Sequence, residues 1–368
     1  MRLKSLELFA FRNHARTSLA FAEQLQLITG PNARGKTNLV EAIYVLATGR
    51  SFRRHTHSRD LIAYGASEAS IRGEVIRDGL ETSLSVHLGG RAGRRLRVNG
   101  NDVQYVKDYV RHISVVAFQP EDLLMVRGGP DLRRDFVDRA AFTLLPEYLD
   151  DYNRYQRALA GRNQLLKQRV RGDLLEAWTE ELAATGGKLA TIRKQFLDEF
   201  LPSATHAFRE IFQESVVELR YAPNPRVLRE CPVEDWKDAF LDELHARQGE
   251  DFDRGFTTTG PHRDDIAMLM DGKEARMFAS QGQTRALVLA LRIGQIRHAM
   301  GVLGAAPLFI LDDVGSELDE QRRQYLAKFL AQEKVQTFIT ATEKSLLPFR
   351  EIPAETWWIE EDGAVRPT

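Results

Sequence analysis

Residues 25–43 read LQLITGPNARGKTNLVEAI. An apolar run stops at Gly30, and six residues later Lys36 and Thr37 open a helical pattern carried by Leu39, Val40, Ile43, Val45 and Leu46. Gly30, Pro31, Asn32, Ala33, Arg34, Gly35, Lys36 and Thr37 match G-x-x-x-x-G-K-[ST] in full. The two glycines let the backbone turn its N–H groups toward an anion, and the next helix presents its N-terminus to the same charge. In this arrangement Lys36 bridges β- and γ-phosphates and the Thr37 hydroxyl ligates Mg²⁺. Strand, glycine loop and helix in that order predict a site for a nucleotide phosphate, against the plainer alternative of a glycine-rich turn that happens to precede a helix.

The composition sets limits on the rest. The chain has 368 residues, enough for two or three structural units, and 51 basic against 52 acidic side chains. That balance excludes a general polycation, so a nucleic-acid surface has to be a local patch. A single cysteine, Cys231, excludes an internal disulfide and suits a reducing compartment. The N-terminus spreads its charges too evenly for a secretion signal, and no run of 18 apolar residues predicts a membrane span. The expectation is a cytoplasmic protein.

Periodicity places the elements. The first 30 residues alternate as strands, and the helix runs from about Lys36 to Ala47. Residues 67–101 read as β, with hairpin turns at Asp78-Gly79 and within GGRAGRRLRVNGND, and ISVVAF follows as a short buried strand. From Leu132 to Phe212 the pattern is helical, with breaks expected at Pro146, Gly172, Gly186-Gly187 and Pro202. Residues 222–256 read as a connecting segment, and Asp271-Gly272 marks another hairpin. A mostly apolar helix, TRALVLALRIGQIRHAM, precedes the strands PLFILDDV and VQTFITAT. These readings divide the chain into 1–130, the first half of an α/β nucleotide core; 131–250, an inserted helical lobe with its connection; and 251–368, the second half.

Two further motifs narrow the chemistry. The strand 308–311 ends in Asp312 and Asp313, at the carboxyl edge where ligands of open α/β sheets gather. Asp312 suits a metal ligand and Asp313 a group that polarises water, although a helix cap would use the same residues. ASQGQTRAL from Ala279 places Ser280, Gly282 and Gln283 at the start of a helix, a second anion site built from a hydroxyl and free N–H groups. One phosphate tail needs only one such site, so Ser280 and Gly282 are expected to address the nucleotide held by a second copy. A plain helix cap is the simpler alternative.

In this order the three motifs resemble the Walker A loop, the signature and the Walker B with D-loop of ATP-binding-cassette ATPases. Within that superfamily the chain resembles the RecF family of bacterial recombinational repair proteins, relatives of the SMC ATPases. FRNH at 11–14, GRSFR at 49–53, PEDLLMVRGGPDLRRDFVDR at 120–139 and TTTGPHRDDI at 257–266 carry the resemblance. The 276 positions between Lys36 and Asp312 (312 − 36) are too many for a transporter cassette and too few for an SMC coiled coil. The resemblance implies an ABC-type P-loop core, a mixed sheet with an antiparallel β subdomain and an inserted helical lobe. It implies ATP wrapped by Gly30–Thr37, Ser280 meeting the γ-phosphate across an ATP-dependent homodimer, and Lys36, Ser280 and Asp313 as the catalytic set. Thr37, Asp312 and Gln119, the last at the end of ISVVAF, would hold Mg²⁺. It also implies binding to DNA at gaps and single-strand/duplex junctions, with RecR, RecO and RecA as partners. Two departures from the cassette pattern, Asp313 where glutamate is usual and Thr340-Ala341-Thr342 where a histidine is usual, imply slow hydrolysis and a switch.

For DNA, GRSFRRHTHSR at 49–59 holds Arg50, Arg53, Arg54 and Arg59 with two histidines and no acid, and RAGRRLR at 91–97 adds Arg94 and Arg95 on a hairpin. Such clusters neutralise phosphates without reading bases. A transporter cassette would share the three motifs but need a membrane-domain contact surface, and a P-loop kinase would need the first motif alone.

Overall fold

Four segments, LQLIT, VVAF, LFIL and TFITA, are buried along their whole length, which marks strands covered on both faces; with two partly exposed strands they make one sheet. The six-stranded sheet has the order β15-β14-β3-β13-β12-β8, built from β3 (Leu25–Thr29), β8 (Val115–Phe118), β12 (Leu308–Leu311), β13 (Thr337–Ala341), β14 (Ala354–Ile359) and the edge strand β15 (Val365–Pro367). All pairs are parallel except β14–β15, and every residue of β3, β8, β12 and β13 is buried. The computed structural model describes residues 1–21, 24–90, 93–212, 215–313, 319–342, 353–360 and 364–367.

Alternating segments build a second sheet, antiparallel throughout, in the order β2-β1-β4-β5-β6-β7. Its strands are β1 (Arg2–Phe11), β2 (His14–Ala20), β4 (Glu68–Arg77), β5 (Leu80–Gly89), β6 (Arg94–Val98) and β7 (Asn101–Asp102). The expected hairpins form as the sequence dictates: Asp78-Gly79 and Asn99-Gly100 both take positive φ at both central residues, the twist that suits adjacent strands. One face buries Leu6, Leu8, Ile71, Val75, Leu84 and Val86; the other is polar.

The chain forms two compact units. Met1–Leu123 and Arg285–Thr368 make one, and Leu124–Thr284 makes the other. The first holds both six-stranded sheets, with α1 (Lys36–Thr48) and α2 (Val106–Val110). The second holds α3 (Leu124–Arg127), α4 (Pro130–Leu144), α5 (Tyr148–Lys167), α6 (Asp173–Ile211), α7 (Trp236–Ala246), α8 (Gln248–Arg254) and α9 (Ala275–Phe278), with a three-stranded sheet. In that sheet β9 (Val217–Ala222) and β11 (Lys273–Glu274) flank β10 (Asp265–Met270). The inserted unit therefore ends at Thr284 and not at residue 250. The cause is the pairing of β10 with β9 from Ile266↔Tyr221 to Met270↔Val217, which ties 265–270 to the insertion.

Two other expectations are corrected here. Residues 222–256 are not a bare connection, since they fold into α7 and α8. Nor does the chain break at Gly186-Gly187 or Pro202, because α6 runs unbroken for 39 residues. A Cβ on Gly186 would lie 2.5 Å from the Phe240 ring and 3.2 Å from Tyr155, and one on Gly187 2.9 Å from the Lys237 backbone. The pair is a seat for α7, and close packing outweighs the roughly 1 kcal/mol per glycine that helix propensity costs.

TTTGPHRDD lies at the centre of this unit's polar interior. Arg162, fully buried, donates to Asp251 (2.6 Å) and Thr257 (2.8 Å). Arg193 donates to Asp138 (2.8 Å), the Pro261 carbonyl (2.7 Å) and Asp264 (3.0 Å). His262 Nδ1 lies 2.6 Å from the Tyr155 hydroxyl, and burial holds the imidazole down at about 4. From DLRRDFVDR, Arg133 grips Asp265 with two nitrogens (2.6 and 3.0 Å). These charges are paired because burying them singly would cost several kcal/mol each.

α10 (Gln281–Leu303) carries the chain from one unit into the other. Among the described residues it is the one helix long and apolar enough to cross a membrane, but Ala286 to Leu291 are each at most 1% exposed. Its hydropathy is that of a core helix.

Candidate active site

β3 ends at Thr29 and α1 begins at Lys36, and the turn between them uses positive φ at Gly30 (147°), Ala33 (63°) and Gly35 (105°). Gly35 is the N-cap of α1. No side chain caps this end and its first turn holds no acid, so the helix N-terminus keeps its partial positive charge for an anion. A Cβ on Gly30 would stand 2.8 Å from the Ile359 carbonyl oxygen, so the strand β14 leaves room for nothing larger there.

Lys36 Nζ donates to the carbonyls of Gly30 (2.7 Å) and Pro31 (2.9 Å), which folds the ammonium over the loop. Partial burial lowers its pKa, opposed by Asp313 and Asp312. The parallel register explains the carboxylates' position: β12 pairs with β13 and β8, so Asp312, Thr340 and Gln119 emerge at one sheet edge beside the loop. Asp312 Oδ1 accepts from Thr37 Oγ1 (2.9 Å) and Thr340 Oγ1 (2.6 Å). Burial pushes this carboxyl above the ordinary range, while the two hydroxyl bonds hold it down. Asp313 is exposed, takes φ 52°, and donates its N–H to Thr340 Oγ1 (2.9 Å). Gln119 is 8% exposed, not a solvent-facing strand end. Its N–H donates to Asp122, which Arg292 holds with two nitrogens.

The donor set is all oxygen: a hydroxyl, a carboxylate and a neighbouring amide. That set, with a carboxylate held out of water beside a phosphate loop, fits Mg²⁺, which takes one or two protein oxygens and completes its shell with phosphate and water.

Residues missed by motif reading support this site from behind. Glu41, on α1 and fully buried, accepts from Arg12 Nε (3.0 Å), Arg12 Nη2 (2.8 Å) and the Ser51 hydroxyl. Asn13 Nδ2 donates to the Arg34 carbonyl (2.9 Å), Asn38 donates to Asn13 (2.8 Å), and His14 Nε2 lies 3.3 Å from the Gly35 carbonyl. FRNH and GRSFR thus meet around α1 and fix the loop. In the sequence both stretches stood out as carriers of the family resemblance, without a role at the phosphate loop.

The arginines divide. Arg94 donates to the Gly49 carbonyl at the C-cap of α1, and burial followed by nearby Arg50 lowers its pKa. Arg53 donates to Asn38 (3.0 Å) and lies 3.8 Å from Glu41. Arg50, Arg54 and Arg95 are exposed, and Arg94's bond beside Arg50 brings the two clusters together.

In the other unit, Ser280 is exposed and caps α10. Its N–H donates to Gln283 Oε1 (2.8 Å), and Gln283 N–H donates to Ser280 Oγ (3.1 Å), a reciprocal capping box. Gly282 is the second residue of α10, with its backbone at the same helix start. Gly315–Leu318 of the expected D-loop lie outside the described residues; Asp319 caps the helix Glu320–Glu333 by accepting from the Arg322 N–H (3.0 Å).

Residues 2–352 match the model of the RecF/RecN/SMC N terminal domain. The DNA replication and repair protein RecF of Geotalea daltonii is 36% identical over 366 residues, covering 99% of this chain and 100% of that protein. The chain belongs to the RecF family. A solved structure of the recombination mediator protein RecF-ATP in the RecFOR pathway superposes with TM-score 0.90 at 30% identity, covering 100% of this chain and 97% of the other. An SMC head bound to the C-winged helix domain of ScpA superposes with TM-score 0.59 at 13% identity, covering 100% and 97%, which shows the shared fold. The chain therefore carries the ABC-type core of the RecF/SMC-like ATPases, with an insertion between its two halves.

Proposed function

We propose that the protein is an ATP-dependent DNA-binding switch of recombinational gap repair. The single observation that carries this reading is the join of Thr37, Asp312 and Thr340 through one carboxylate oxygen beneath an uncapped phosphate loop. Gly30–Thr37 bind the triphosphate through backbone N–H groups and Lys36. Thr37 and Asp312 would hold Mg²⁺, with Gln119 beside them, and the ion supplies charge neutralisation on the β- and γ-phosphates. Asp313, exposed at the rim, accepts a proton from the attacking water; being one methylene shorter than glutamate, it does so slowly.

Ser280, Gly282 and Gln283 address the nucleotide of a second copy, so ATP joins two subunits and its hydrolysis parts them. The paired subunits close on gapped DNA through Arg50, Arg54 and Arg95, with Arg53 and Arg94 shaping that surface from beneath. RecO, RecR and RecA are the protein's proposed partners in this work, as the resemblance implies.

Light scattering with and without ATP and gapped duplex tests the reading. ATP is expected to double the mass, Lys36→Ala to abolish nucleotide binding, and Ser280→Arg to leave nucleotide binding intact while blocking the dimer. A monomer at saturating ATP and Mg²⁺ would sink the proposal.

A further inference from the structure

The polar face of the antiparallel sheet has a composition that phosphate chemistry alone does not use. Pleating turns Leu6, Leu8, Ile71, Leu84 and Val86 inward and leaves the alternate residues outward. Read across the strands, one outward row runs Arg16–Phe9–Ser70–His87–Arg95. The next runs Ser18–Glu7–Arg72–Ser85–Arg97. An open groove of ≈ 530 Å³ lies over these rows from Arg16 to His87 and from Ser18 to Arg97. Among the lining residues three guanidinium groups, of Arg16, Arg72 and Arg97, stand against the one carboxylate of Glu7.

The first row holds no acid. Phe9 sits within it at 53% exposure, between small or polar neighbours that leave its ring open. Arg16 and Arg95 close the row at its two ends, and neither side chain makes a hydrogen bond or ion pair among the described residues, unlike Arg97, which is tied to Asp102 at 2.6 Å. Burial first, then Arg97 and Arg95, hold His87 below its ordinary range, so the arginines set the sign of the face. Five strands at a spacing of about 4.8 Å make the row about 19 Å wide, room for a few nucleotides.

We propose that this outer sheet face is a platform for a single strand of nucleic acid, with a base stacked on Phe9 and the backbone held by Arg16 and Arg95. An open aromatic ring beside one guanidinium group, in a row that a second guanidinium group closes three strands away, is the chemistry that grips unpaired bases regardless of their identity. A duplex hides its base faces and would leave Phe9 unused. Serine hydroxyls at Ser18, Ser70 and Ser85 add donors for phosphate oxygens. The inference rests on the reading of this protein as DNA-binding at single-strand gaps and adds where on the molecule the single strand lies.

Fluorescence anisotropy of the full chain, with ATP and Mg²⁺, against labelled oligothymidylate and against a duplex of equal length tests it. Phe9→Ala is expected to weaken single-strand binding about tenfold, the order of one base stack, while Phe9→Trp keeps it. The double variant Arg16→Ala/Arg95→Ala is expected to lower the salt slope of single-strand binding by about 1.4, two phosphate contacts at about 0.7 each. Circular dichroism and thermal unfolding confirm that each variant is folded, as substitution of half-exposed side chains allows. Unchanged single-strand affinity in folded Phe9→Ala overturns this surface while leaving the broader reading, which uses Arg95 and not Phe9, standing. Equal losses on duplex overturn the single-strand assignment. Polyglutamate competing as well as oligothymidylate overturns it in favour of an acidic polypeptide. A wild-type chain that binds no DNA in any form overturns the proposed function itself.

Discussion

Thr340 joins the two acids of the candidate active site, and replacing it with valine separates its role from its shape. Its hydroxyl donates to Asp312 Oδ1 at 2.6 Å and accepts the Asp313 N–H at 2.9 Å, using one donor and one acceptor. Valine is close in volume and fits a site where Thr340 is 1% exposed, so the fold is expected to persist. The exposed Asp313 leaves its N–H a route to water, so the main loss is the bond to Asp312. A hydrogen bond to a charged group is worth about 1.5–3 kcal/mol, or about 10- to 150-fold in an equilibrium constant. Because Asp312 is also the proposed metal ligand, that loss falls on Mg²⁺ affinity. The assay is ATP hydrolysis at fixed ATP across a Mg²⁺ titration, with binding of a fluorescent nucleotide measured in parallel. Thr340→Val is expected to raise the Mg²⁺ concentration at half-maximal rate by at least about tenfold while nucleotide binding without metal stays level. Thr340→Ser keeps both bonds and should titrate like the wild type. A valine variant with an unaltered Mg²⁺ curve would show that Thr340 does not tune Asp312.

Glu41→Ala leaves Arg12 without the carboxylate that now accepts two of its N–H groups and is expected to cost about 3–5 kcal/mol, read as the urea midpoint of the folded chain. Gly186→Ala distinguishes a packing glycine from a mere helix weakener: helix propensity alone would stabilise by about 1 kcal/mol, whereas the 2.5 Å approach of Phe240 predicts a net loss of about 1–3 kcal/mol in thermal unfolding. His262, held down at about 4 by burial, sets a pH dependence. The unfolded chain takes up its proton near pH 6.5 and the folded chain does not, so this stability is fully present above pH 6.5 and is lost as pH falls toward 4, by roughly 3 kcal/mol. Urea midpoints measured from pH 7.5 to 4.5 should fall less steeply for His262→Gln; parallel curves would refute the assignment.

Much of this site could be read in one dimension because its parts are local. Gly30, Gly35, Lys36 and Thr37 declare a phosphate loop by spacing alone, and Asp78-Gly79, Asn99-Gly100 and Asp271-Gly272 declare their hairpins by the positive φ that those pairs tolerate. Buried strands such as Leu308–Leu311 are equally plain, since both faces must be apolar. What the sequence could not give is everything that depends on which strands become neighbours. Thr340 entered the sequence reading only as a missing histidine, and it becomes a link between Asp312 and Asp313 because β13 lies beside β12. Glu41 looks like one more helix charge until Arg12 and Ser51 arrive from segments 29 and 10 residues away. Gly186-Gly187 reads as a break because propensity is a local property, and it is a seat for Phe240 because packing is not. Short-range rules fix the conformation of a few residues at a time; burial and strand pairing decide which of those residues meet.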